Sequence, residues 1–194
     1  MDLPLDLAFK GGRDYLHGTD LHDAVRDAVA ARWGDATSVD LSFHSLARSA
    51  VRLTDAAPAQ QAVALCRCSA GGAPRQLWLV QTGHAVLGRR AYDEAAIVAA
   101  LQVDAGQRLA VLDGDSGGSD IETWVAMIKR LHQLAFAERS GKWLFVRARL
   151  PRFAGAGGPG RREIRIAGVL GNRLTRSELR LDGQAAGEIF FALD

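Results

Sequence analysis

The sequence predicts an α+β chain made of two copies of one unit, each a single long helix wrapped by a curved antiparallel sheet. Three observations predict it. Gly118-Ser119-Asp120-Ile121 repeats Gly18-Thr19-Asp20-Leu21 at an offset of 100 residues, both times after a short apolar run and both times opening a helix. The offset recurs in separate elements, pairing Val25 with Val125, Ala28 with Ile128, Arg52 with Arg152 and Gly83 with Gly183; one fixed spacing in several places indicates duplication. In each copy, moreover, a run of helical period is followed by runs that alternate apolar and polar residues, the period of a sheet with one buried face.

Leu5 to Phe9 reads as a first strand, stopped by Gly11-Gly12. The junction Arg13-Asp14-Tyr15-Leu16-His17-Gly18-Thr19-Asp20 leads into a helix from Leu21, whose Ala24, Val25, Ala28 and Val29 share one face until Trp33-Gly34 ends it. Val39, Leu41 and Phe43 alternate with polar neighbours and the pattern resumes at Val51 and Leu53, which reads as one long strand with an irregularity over residues 45–49. Ala62 to Cys68, Leu77 to Gln81 and Ala85 to Ala91 read as three more strands. These make a unit of residues 1–93, and residues 94–106, with a short helix over Glu94 to Leu101, are the expected connector. The order then repeats in residues 107–194: a strand at Leu109 to Leu112, a helix carrying Ile121, Trp124, Val125, Ile128 and Leu131 and ending at Ser140-Gly141, and strands at Trp143 to Phe153, Glu163 to Leu170, Arg176 to Leu181 and Ala186 to Leu193. Pro151 places a bulge or an edge in the first of these. Trp124 and Ile128 should be buried where Ala24 and Ala28 are.

With 194 residues and 48% apolar content the chain has ample material for a core. A net charge of +2 is too small to predict a nucleic-acid partner. The dense basic stretch is local: Arg147, Arg149, Arg152, Arg161, Arg162 and Arg165. The opening Met-Asp-Leu-Pro-Leu-Asp lacks the features of a secretion signal and no apolar run reaches bilayer length, so a cytoplasmic protein with no membrane association is expected. Cys66 and Cys68 share one face of a strand and read as two reduced structural thiols.

The order of strand, loop, long helix and antiparallel sheet, repeated once, resembles the hotdog superfamily as a tandem double hotdog, a pseudo-dimer within one chain that could pair further as a homodimer. A cystatin-like helix-on-sheet repeat is the rival architecture. The resemblance implies chemistry on acyl thioesters carried by acyl carrier protein or coenzyme A, with no cofactor and no metal, at sites near the start of the long helix. By resemblance to hotdog dehydratases, His17 is the candidate base; its alternative role is to hydrogen-bond the loop. The match is partial, since His17-Gly18 lacks the Pro-rich continuation of that motif and Ala31 and Leu131 stand where the dehydratase acid is expected. By resemblance to hotdog thioesterases, Asp14 is the candidate nucleophile or water-activating group. Tyr15 either orients His17, lines an acyl tunnel or sits in the core.

Around them, Gly18, Thr19, Asp20 and Glu122 are candidate substrate contacts at the helix starts, where unpaired N–H groups attract a thioester oxygen. Their structural alternatives are caps: Asp20 and Asp120 as capping residues, and Ser119 with Glu122 as a capping box. Arg147 and Arg149 are candidates for holding coenzyme A phosphates or the acidic face of a carrier protein, the alternative being a solvated strand face. His22, His44, His84 and His132 have no metal-site spacing. Three functions are therefore weighed: a 3-hydroxyacyl-thioester dehydratase using His17, an acyl thioesterase using Asp14, and a non-catalytic acyl- or carrier-protein-binding module.

Overall fold

The computed structural model describes residues 1–194, and the chain divides into two compact units, one of residues 1–93 with 151–153 and one of residues 94–150 with 154–194. Its architecture is α+β and its strand pairing almost wholly antiparallel. No helix is long and apolar enough to cross a membrane.

The first unit runs β1 (Asp2–Leu5), β2 (Phe9–Lys10), α1 (Gly18–Trp33), β3 (Ala36–Phe43), β4 (Val51–Thr54), β5 (Ala64–Ala70), β6 (Ala73–Gln81) and β7 (Arg89–Arg90). The helix forms where the sequence places its apolar stripe: Leu21, Val25, Ala28 and Val29 are buried, each large aliphatic one contributing about 2 kcal/mol by leaving water, whereas Ala24, expected on the same face, is only half-buried. It ends where Gly34 takes a φ of 80° and returns its N–H to the Ala30 carbonyl. The sheet order is β1-β4-β6-β5-β3. In β5, Cys66 and Cys68 are free and buried. Hydrogen bonding to Cys68, together with burial, pushes the Cys66 thiol well above its ordinary range, while the same bond lowers that of Cys68.

The second unit runs α2 (Glu94–Ile97), β8 (Gln102–Asp104), β9 (Leu109–Asp113), α3 (Asp120–Ala135), β10 (Trp143–Arg152), β11 (Arg161–Leu170), β12 (Leu174–Leu181) and β13 (Gln184–Leu193). Its sheet order is β8-β9-β11-β12-β13-β10. On α3, Ile121, Trp124, Val125, Ile128 and Leu131 are all buried, as the spacing predicts, and the helix contacts β9 and β11. Phe136 caps it with an extended φ of −134°, so the helix stops short of Ser140-Gly141.

Three expectations are corrected. The long strand over Val39 to Leu53 is two strands at separate places in the sheet, because residues 44–50 leave the ladder: Arg48 and Ser49 turn their N–H groups onto the Gln81 side chain, and Ala47 gives its carbonyl to Leu16. The first strand is Asp2–Leu5 rather than Leu5 to Phe9, paired to β4 from Asp2↔Thr54 to Leu5↔Val51. Ala85 to Ala91 is not a strand of the sheet; only Arg89–Arg90 pairs, in parallel with Phe9–Lys10. Within residues 94–135, Glu94 of α2 bridges Lys129 of α3 at 2.5 Å and β8 pairs with β9.

The units share a β-α-β-β-β-β order yet differ in how the last strands interleave. Short turns at 171–173 and 182–183 make β11, β12 and β13 a meander, since two-residue and three-residue connections force sequence neighbours to pair. In the first unit Gly71-Gly72 likewise makes β5 and β6 a hairpin, but the nine residues 55–63 let β4 cross over and pair with β6 instead of β5.

Candidate active site at the start of the first long helix

The loop that ends at His17 is tied down by backbone bonds before any side chain acts. Gly11, at φ 55°, donates to the Arg90 carbonyl, Arg13 to the Lys10 carbonyl, and buried Leu16 to the Ala47 carbonyl. His17 is then the helix N-cap, with φ −71° and ψ 137°, and its carbonyl accepts the N–H groups of both Asp20 and Leu21. The amides of Gly18 and Thr19, one step earlier, donate to no backbone group and lie at the positive end of the helix.

The His17 side chain is buried, 7% exposed, with Nδ1 2.8 Å from the buried Thr19 hydroxyl. If Nδ1–H donates to that hydroxyl, the lone pair resides on Nε2, the tautomer a base needs. The Tyr92 ring lies 5.6 Å from the imidazole, tilted by 52°. Lys10 Nζ and the Arg13 guanidinium each stand 4.9 Å from that ring, within cation–π range. Asp20, expected as a cap, is instead a buried counter-ion: it meets Lys10 Nζ at 2.7 Å and also binds Arg90. Asp20 thus faces two cations, and Arg89 donates to the Gly11 and Arg13 carbonyls beside them.

Asp14 does not join this group, since its carboxylate is 75% exposed and paired with Arg48. Tyr15 and Gly18 are half-buried. The residues that sequence reasoning missed are Tyr92, Lys10 and Arg90. They carry no local signal, because they reach the helix start only through the two-residue parallel pairing of β2 and β7.

The second junction has the same ion-pair logic with different residues. Asp120 binds Arg162 at 2.6 Å, and that buried guanidinium also donates to the carbonyls of Gly114 and Gly158. Ser119 Oγ accepts the Glu122 N–H at 3.4 Å, which supplies one half of the expected capping box, and Glu122 is half-buried.

No protein-family model and no curated protein sequence matches the chain. Among solved structures, a protein assigned as a thioesterase from Novosphingobium aromaticivorans superposes with a TM-score of 0.53 at 16% identity, over 100% of this chain and 94% of that one. The dehydratase domain of PpsC from Mycobacterium tuberculosis, solved with C12:1-CoA, superposes with a TM-score of 0.50 at 13% identity, over 93% and 85%. The chain has the hotdog fold.

Within this hotdog chain the arginine cluster divides. Arg162 is buried on Asp120 and closed to a phosphate, whereas Arg161 is exposed and pairs with Asp113 at 3.0 Å. Arg147 and Arg149 lie 5.9 and 5.4 Å from the Phe190 ring, stacked along a strand face. His22 is buried against Asp23 at 3.0 Å and the edge of Phe153. His132 bonds the Thr175 hydroxyl at 2.9 Å and stacks on Trp143 at 4.2 Å; burial, with the nearby Arg139 charge, pushes it down to about 3, so it is a neutral core residue at working pH.

Proposed function

We propose that this chain is a tandem double hotdog, with units of residues 1–93 and 107–194, that processes acyl thioesters as a 3-hydroxyacyl dehydratase with His17 as its base. One observation carries this reading: a buried imidazole, fixed at Nδ1 by Thr19, stands beside two unbonded amides at a helix N-terminus. A thioester oxygen received by the Gly18 and Thr19 amides would acidify the neighbouring C2–H, because charge that develops on that oxygen meets preorganised dipoles. His17 Nε2 removes the C2 proton and the electron pair forms the C2–C3 double bond as the 3-hydroxyl leaves. The hydroxyl departs as water on taking the proton that His17 has just accepted, so acid and base work is done by one group. This accounts for Ala31 and Leu131 at the positions where the resemblance expects a separate acid. Acyl carrier protein or coenzyme A supplies the thioester, and the protein belongs in the cytoplasm.

The thioesterase reading that rests on Asp14 loses support, since an exposed carboxylate paired with arginine is poorly placed to attack a buried carbonyl. The binding-module reading is what remains if chemistry is absent. Incubation with 3-hydroxydecanoyl and decanoyl thioesters, with enoyl absorbance and free thiol followed together, separates the three. Enoyl formation that disappears in His17→Ala supports the proposal; thiol release that disappears in Asp14→Asn overturns it in favour of hydrolysis.

A further inference from the structure

A base that is 7% exposed cannot touch a substrate until something uncovers it. In the first unit Tyr92 is laid against the His17 ring from outside its own loop. Tyr92 ends a stretch in which Gly83 to Ala85, Leu87 to Ala91 and Asp93 are exposed, Leu87 at 96%. That stretch is attached near both of its ends. At one end Thr82 and His84 exchange backbone bonds with Ala50. At the other, the hold includes the two-residue pairing of β7 to β2, the Arg89 bonds to the Gly11 and Arg13 carbonyls, the Arg90 pair with Asp20, and the Tyr92 ring near Lys10 and Arg13. Exposed backbone bonds with little apolar burial are the signature of a segment that opens locally well before the fold does. Gly83, with a φ of 80° and open space around it, supplies a pivot.

We infer that residues 84–93 form a strap whose Tyr92 covers His17 and positions it, and whose Arg90–Asp20 pair is the latch that sets how often the site opens. The latch is suited to this role because its release is cheap. Asp20 keeps its Lys10 partner at 2.7 Å when Arg90 leaves, so no buried carboxylate is stranded, and the Arg90 guanidinium, already 55% exposed, regains water. Salt weakens the pair further, since it is partly exposed. The strap also borders an open hollow of about 390 Å³, whose lining includes Leu5, Asp6, Leu7, Ala50, Val86 and Arg90.

This inference rests on the reading of His17 as the base, but its test does not need turnover. Diethyl pyrocarbonate acylates accessible neutral imidazoles, and peptide mass mapping gives a separate rate for each histidine. Exposed His44 and His84 serve as fast references and buried His22 and His132 as slow ones. His17 in the wild type should react slowly. Arg90→Gln and Tyr92→Ala should each raise the His17 rate by about tenfold, leaving His22 and His132 slow, whereas Tyr92→Phe, which keeps the ring, should behave as wild type. Slow His22 and His132 also certify that the variants are folded. A His17 rate that stays at the wild-type value in both Arg90→Gln and Tyr92→Ala, or that rises equally in Tyr92→Phe, overturns the strap. If the rates shift as expected but no variant acts on any thioester, the strap stands and the dehydratase reading falls. Where turnover is present, Arg90→Gln should change KM more than kcat, because the latch governs entry rather than the proton transfer.

Discussion

A helix N-cap is an economical place for a reactive histidine, since the backbone there supplies both a fixed tether and unpaired donors. His17 uses its carbonyl to cap α1 and its Nδ1 to hold Thr19. Thr19→Val should therefore lower kcat by about tenfold or more with little change in KM, because the loss is one of ring orientation and tautomer rather than of substrate contact; equal kcat in mutant and wild type would remove Thr19 from the mechanism. His132 makes the opposite use of the same side chain. Buried and pushed down to about 3, it stays neutral in the folded state while the unfolded chain takes up a proton as pH falls below about 6.5. Stability should therefore drop by about 1.4 kcal/mol per pH unit between about pH 6.5 and pH 3 on account of this residue. Urea denaturation at pH 7 and pH 5 measures that slope, which His132→Gln should flatten.

At the scale of elements, each long helix is pinned at its start by a buried aspartate in an ion pair, yet the cations come from different places. In the first unit they are Lys10 and Arg90 from the two smallest strands; in the second, Arg162 comes from the main sheet. A helix pinned to the sheet core has no room to move, whereas one pinned to β2 and β7 can be released. Arg162→Ala should cost about 3–5 kcal/mol, as expected when a buried charge loses its partner, while Arg90→Ala should cost much less because Lys10 remains. Thermal unfolding of the two variants compares them directly. Close approach adds to the rigidity of the second junction. A Cβ on Gly157 would run into the Gly118 carbonyl, whereas one on Gly158 would meet open space, although both have positive φ. Gly158→Ala should then show only backbone strain of about 1–2 kcal/mol, and Gly157→Ala distinctly more.

For the molecule as a whole, the two junctions predict one working site per chain. The first offers His17, Thr19 and a releasable cover, while the second has Gly117 at the place of His17 and a guanidinium locked onto Asp120. Titration with a non-hydrolysable decanoyl thioester analogue should give a stoichiometry of one per chain, lost in His17→Trp, which fills the space beside the helix start. Two sites of similar affinity would show that the second junction binds as well.

What the sequence by itself determined is whatever depends on residues close together along the chain. The α+β class, the apolar stripes of both long helices with Trp124 and Ile128 inside, the glycine that stops α1 and the placement of His17 at a helix start all follow from periods of two and 3.6 and from local capping, which act over a single turn or strand. Tertiary structure decided whatever depends on distant partners. Nothing local distinguishes a capping aspartate from one that neutralises a buried cation, so Asp20 and Asp120 were legible as helix starts but not as ion pairs. Alternation in residues 39–53 and 85–91 shows a strand-like pattern without showing what pairs with it, and in both places the backbone donors found other acceptors. The order of strands in the first sheet turned on the length of the 55–63 connection. Tyr92 reached His17 from 75 positions away through a pairing of two residues, too short to leave a periodic trace.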